Sequence, residues 1–140
     1  MLTQSSIDAA VLAAYRRTEY RMAAGFALWI DEHNADLEAW QLRHGEHCSA
    51  FVCAVNPRSV QLSHHENRAR HERLRTQLTR EGLYFEEGQG IDPERSWPPE
   101  PGFLIAGVDP TQARRLGRQF DQNAVIWSGA EAIPHLLLLR

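Results

Sequence analysis

Residues 48–74 read CSAFVCAVNPRSVQLSHHENRARHERL, and the succession of patterns in them sets the fold. CSAFVCAV is an apolar run of strand length bounded by turn residues, as in a central strand buried on both faces. Asn56-Pro57 breaks the run and a polar loop follows. Ser63-His64-His65-Glu66 then opens a helix with the S-x-x-E spacing of a capping box, in which the Ser63 hydroxyl accepts from the Glu66 amide and Glu66 reaches back to the Ser63 amide. Leu74 and Leu78 mark the buried side of this helix, which stops near Gly82. A buried strand, a loop and a helix in succession form the building unit of a layered α/β or α+β protein.

Working outward, the flanks repeat that unit. Upstream, Ser5 or Ser6 can cap a first helix whose Ile7, Ala10, Val11, Ala14 and Thr18 fall on one side. YRMAAGFALWI at 20–30 alternates with period two and predicts one strand. After the turn DEHN, a short helix through Leu37, Trp40, Gln41 and His44 ends at Gly45. Downstream, LYFEE and FLIAGV read as strands on either side of GQGIDPERSWPPEPG (88–102), a long Gly/Pro loop of the kind that often carries function. Asp109, Pro110 and Gln112 supply cap, first helical residue and capping-box partner for a helix with Ala113, Leu116 and Phe120 inward. AVIW and HLLLL read as the last strands. The expectation is one domain over 1–140, a layered sandwich with a mixed sheet of five to six strands and about four helices, in the order αβαβαββαββ.

Composition narrows the chemistry. At 140 residues the chain can bury a core without disulfide or metal staples. The net charge of −3 gives no overall pull toward nucleic acid or an anionic membrane. All 15 basic residues are Arg. With no Lys there is neither Schiff-base lysine chemistry nor a Walker-type phosphate loop. Cys48 and Cys53 lack CxxC spacing and point to opposite faces of a strand, so they are read as free thiols, inert in an apolar setting and in keeping with a cytoplasmic protein. The N-terminus carries Asp8 and no basic segment, unlike a signal peptide, and no apolar run reaches the roughly 18 residues of a membrane span. The seven histidines offer no HExxH or comparable ligand spacing, and neither a metal nor a cofactor is expected. No GxSxG or GxGxxG is present.

The polar residues around the strand–helix junction carry the functional question. On the helical wheel Asn67 projects between the directions of Leu74 and Leu78, so a polar amide points where a core residue is expected and must find partners. Asn56 and Ser59 are the nearest. Either they satisfy Asn67 internally, or Asn56, Ser59, Asn67 and Arg70 line a small pocket at a helix N-terminus, where free amides favour an anion. Arg70 has two readings of equal weight, an ion pair with Glu66 or Glu100, or a bidentate clamp on a carboxylate or phosphate. In SWPPEPGFLI, prolines present Glu100 rigidly at the entry to a strand. Glu66 and Glu100 are the acid–base candidates. Trp97 is read as a lid or a stacking surface, and Gln122, between a helix end and a strand, as a turn residue or a pocket wall.

FVCAVNPRS, LSHHENRARHERLRTQL, GQGIDPERSWPPEPGFLI and RQFDQNAVIW, in that order, resemble a family of short bacterial proteins, domain of unknown function 3293, and AAYRRTEY resembles its opening helix. The most specific parts are the NPxS loop, the EN-x-x-R that follows and the W-P-x-E-P segment. The family more often carries Thr at the place of Cys53, which argues against an essential thiol. The resemblance implies no reaction. Carried over by motif, it marks Asn56, Pro57, Ser59, Glu66, Asn67, Arg70, Trp97, Glu100 and Gln122.

Three functions of different class follow. The leading expectation is a cytoplasmic protein that binds a small anionic or nucleotide-like ligand at the 56–70 junction. The alternative is a protein–protein interaction or regulatory module, with HLLLLR as an edge strand open to pairing and homo-oligomerisation. Nucleic-acid binding through Arg68, Arg73, Arg75 and Arg80 ranks last, because Glu72 shares their face.

Overall fold

The structure is a computed structural model that describes residues 5–140. Four helices and seven strands follow one another: α1 (Ala9–Arg17), β1 (Glu19–Met22), β2 (Ala27–Leu28), α2 (Ala35–Arg43), β3 (Ser49–Val52), α3 (His64–Arg80), β4 (Phe85–Ile91), β5 (Glu100–Ala106), α4 (Pro110–Gln119), β6 (Ala124–Ser128) and β7 (His135–Leu138). The strands form one sheet in the order β2-β1-β4-β5-β3-β6-β7. Side chains alternate across it. Val52, Phe103, Ile105 and Val125 face Leu74 and Leu78 of α3 and Leu116 of α4. Phe51, Leu104 and Ile126 face the opposite way, toward Leu37 and Trp40 of α2. The sheet is therefore the middle layer of three, and each fully buried Leu or Phe contributes about 1.5–3 kcal/mol.

The sheet is not mixed: every neighbouring pair is antiparallel. The helical crossovers do join parallel strands, as the alternation of helix and strand suggests. In each case, however, another strand lies between the two. β5 separates β3 from β4, and β3 separates β5 from β6. For α3 and α4 the interleaving turns a parallel crossover into two antiparallel contacts; α2 reaches further, with β1, β4 and β5 between β2 and β3.

Seven strands replace the five to six expected because residues 20–30 fold as a hairpin. Tyr20 pairs with Leu28 and Arg21 with Ala27, around a turn at Gly25 with φ 101°. The 88–102 stretch is also shorter as a loop than its composition suggests, since β4 runs to Ile91 and β5 begins at Glu100. Its glycines sit in strands because of close approach. Gly88 pairs with Gly102, and a Cβ on Gly102 would lie 2.7 Å from both the Cys53 thiol and the Phe51 ring and 2.8 Å from the Val52 carbonyl.

The helix starts follow local rules, with two changes. Ser63 caps α3, but the Glu66 carboxylate takes the Ser63 hydroxyl and not its amide, so the expected reciprocal box does not close there; Asp109 with Gln112 does form a reciprocal capping box on α4. α1 is capped by Asp8 rather than by Ser5 or Ser6. Ser5 instead donates to the Arg140 carbonyl at 2.7 Å, at the edge where β7 ends. No helix among the described residues is long and apolar enough to cross a membrane.

Candidate functional site

A cavity of about 70 Å³ lies between α1 and the sheet face that carries Phe51 and Ile126. That is room for several waters or a small organic group. Tyr15 of α1, Tyr20 of β1 and Leu136 of β7 supply apolar walls. Cys53, Asn56 and Ser59 enter from the segment leaving β3, Glu100 from the first position of β5, and Trp97 and Pro98 from the loop before it. Gln61 and Pro98, the exposed members of the lining, mark its solvent side.

The segment after β3 is held in an uncommon conformation. Asn56, Arg58 and Ser59 have φ of 46°, 54° and 60°, values that cost a non-glycine residue about 1 kcal/mol or more each. The fold fixes this turn from several sides. The Asn56 amide donates to Asn67 Oδ1 at 2.9 Å, and Asn67 Nδ2 donates back to Asn56 Oδ1 at 2.7 Å. Leu62 donates to the same Oδ1 at 3.0 Å, and the Arg58 amide donates to the Asp121 carbonyl at 2.8 Å. The Ser59 hydroxyl shares a hydrogen bond with Tyr15 at 2.8 Å and accepts from Asn123 at 3.0 Å.

Asn56 has one donor left over, and it meets the carboxylate. Its Nδ2 donates to Glu100 Oε2 at 2.6 Å. Glu100 Oε1 makes no hydrogen bond among the described residues, and no cation there pairs with this side chain. Burial pushes the Glu100 carboxyl pKa above its ordinary value, against a smaller downward pull from Asn56. Burial also raises the Tyr15 phenol and, with help from Glu100, the Cys53 thiol. Cys53 is thus protonated and poorly suited to attack. Asp92, the other acid in the lining, is neutralised: Arg17 donates to its two oxygens at 2.8 and 3.0 Å. The same carboxylate accepts the Glu94 and Ser96 amides, which ties the loop bearing Trp97 to α1.

Of the residues marked in the sequence, Asn56, Ser59, Trp97, Glu100 and Gln122 converge on this cavity. Gln122 also pins the segment by donating to the Val55 and Phe120 carbonyls. Four marked residues do not line it, Pro57 among them. Asn67 is spent on the reciprocal pair with Asn56. Arg70 makes neither of its expected ion pairs; its Nε donates to the Ala54 carbonyl at 2.5 Å and its Nη2 to the Phe120 carbonyl. Glu66 is exposed and bonds only Ser63. The lining holds no Arg or His, so the cation expected to receive an anion sits behind the site. Tyr15 and the Arg17–Asp92 pair escaped notice because their partners lie 44 and 75 residues away in sequence. The one cue was AAYRRTEY, which holds both Tyr15 and Arg17.

A family described as "Protein of unknown function (DUF3293)" matches residues 52–125, more than half of the chain. The chain belongs to this family. The DUF3293 span starts in β3 and ends in β6, and it contains Asn56, Asn67, Arg70, Trp97, Glu100 and Gln122. The α1 and β7 walls of the cavity lie outside it. No curated protein and no solved structure matches this DUF3293 chain.

Proposed function

We propose that the protein binds a small organic molecule in the cavity beneath Trp97, and that Glu100 is its main polar contact. The observation that carries this reading is the unpartnered Oε1 of a largely buried carboxyl group facing a space lined by aromatic and aliphatic side chains. A carboxyl in such a place favours a ligand that donates a hydrogen bond, as an amine or a hydroxyl does. An anion is disfavoured, since the lining offers it no cation. A carboxyl with a raised pKa is equipped to give a proton to a bound group or to take one from it. Binding is the first requirement of such a transfer. A thermal-shift screen of small amines, alcohols and carboxylic acids tests the reading. Amines or alcohols should raise the Tm of the parent and not of Glu100→Gln. Equal shifts in both proteins, or shifts with carboxylic acids alone, would remove it.

A second reading rests on β7, an apolar strand that among the described residues pairs only with β6, at the edge of the sheet. Such an edge invites pairing with a second copy. Light scattering on a sizing column separates dimer from monomer.

A further inference from the structure

The opposite face of the molecule carries a second concavity. It is a groove of about 680 Å³ between α3 and α4, and three arginines of α3 line it. Arg70, Arg73, Gln77 and Arg80 follow one another at spacings of three, four and three, which keeps them on one stripe of the helix over roughly 15 Å. Gln77 and Gln119 close the groove floor by donating to each other's side-chain oxygen across the two helices.

The charges in this groove are unbalanced. Of the other arginines on these two helices, Arg75 pairs with Glu72 and Glu87 and Arg115 with Glu81, while Arg68, Arg114 and Arg118, outside the groove, also have no carboxylate within 4.0 Å among the described residues. Arg70, Arg73 and Arg80 have no carboxylate within 4.0 Å among the described residues. Glu72 is the one acid in the lining, and Arg75 holds both of its oxygens at 3.2 and 3.4 Å. Arg70 is anchored by the Ala54 and Phe120 carbonyls, while its Nη1 makes no hydrogen bond among the described residues. Burial and the nearby charge of Arg73 both lower the Arg70 pKa, with Asp121 a lesser opposing influence. A chain with net charge −3 thus gathers three uncompensated guanidinium groups in one concave place. Isolated surface arginines are commonly just solvated. A stripe of three that faces a second helix, one of them fixed, is a different arrangement.

We propose that the α3–α4 groove binds a compact oligophosphate, as inorganic pyrophosphate or tripolyphosphate or as the phosphate tail of a nucleotide, through Arg70, Arg73 and Arg80. Guanidinium forks match phosphate oxygens bidentately, and three of them balance the three to four charges of such an anion. The Gln77 and Gln119 amides can turn from each other to the bridging oxygens. This site is separate from the cavity beneath Trp97, and its occupant is of the opposite charge preference.

Isothermal titration with orthophosphate, pyrophosphate, tripolyphosphate, a nucleoside triphosphate and a single-stranded oligonucleotide tests it at 150 mM salt. Affinity should rise with the number of phosphates from one to three. Equal affinity for tripolyphosphate and the nucleoside triphosphate assigns the contact to the phosphates alone, and tighter binding of the nucleotide adds a base contact; both uphold the site. The Arg73→Gln/Arg80→Gln double variant alters two exposed side chains and should bind at least about tenfold more weakly. Arg43→Gln, which removes the same charge on α2 across the sheet, and Glu100→Gln should bind as the parent does. An absence of heat with any phosphate, unchanged binding in the double variant, or tighter binding of the oligonucleotide than of tripolyphosphate overturns the proposal.

Discussion

Asn56 and Glu100 meet across 44 residues of chain, with Nδ2 donating to Oε2 at 2.6 Å, and the second carboxyl oxygen of this cavity-lining residue makes no hydrogen bond among the described residues. The arrangement costs the fold stability. A largely buried carboxylate without a cation is unfavourable for the fold, and a single amide compensates it only in part.

Replacing Glu100 by Gln should therefore stabilise the protein. The amide oxygen keeps the bond from Asn56 and the buried charge is gone. Urea denaturation at pH 7 should show a gain of about 1 kcal/mol, the size usual when a functional group is neutralised, together with loss of ligand response. A loss of stability would mean that the carboxylate is a structural partner after all.

The pH dependence follows from two opposite shifts. Glu100 titrates above its ordinary 4.5 in the fold, so from pH 4.5 up to the raised value the native state holds a proton that the unfolded chain has released. Its contribution is complete below 4.5 and is lost as pH rises through that window. Asp92 titrates well below its ordinary 3.8, chiefly through its hydrogen bond from Arg17, so its contribution is present above 3.8 and is lost as pH falls through the folded value. Denaturation curves between pH 3 and 8 should show the advantage of Glu100→Gln over the parent growing toward neutral pH. The slope should stay below about 1.4 kcal/mol per pH unit. Asp92→Asn should be weakened most at neutral pH.

Asn67→Ala removes the acceptor of the Asn56 amide and one donor to its side chain. A buried amide left unpaired costs about 1–3 kcal/mol, and that loss should appear in thermal unfolding. Because Asn56 orients Glu100, ligand affinity should fall too, although Asn67 itself touches no part of the cavity. Unaltered stability would show that the reciprocal amide pair is not formed.

Gly102→Ala places a methyl group against the Val52 carbonyl, which cannot move aside as a side chain can. A loss of about 1–3 kcal/mol is expected, typical of an overpacked core. Cys53 should be displaced toward the cavity, and its reactivity toward a thiol reagent in the native state reports this directly.

The parts of the fold legible in the sequence are those fixed by neighbours. The Ser63 cap, the Asp109–Gln112 box and the inward aim of Asn67 all depend on residues within one or two helical turns. Strand pairing could not be read, because interleaved crossovers leave the same helix–strand alternation as simple ones. Gly88 and Gly102 suggested a loop by propensity, and only tertiary crowding shows why glycine is needed in those strands. Arg70 misled for a related reason. A guanidinium announces a search for carboxylates, whereas its partners are two backbone carbonyls, which leave no trace in side-chain patterns.

The cavity draws its walls from Ala14 of the first helix and Leu136 of the last strand. Segments far apart in sequence must therefore both be docked before the chamber closes, so a change that loosens either α1 or β7 opens it without touching Glu100.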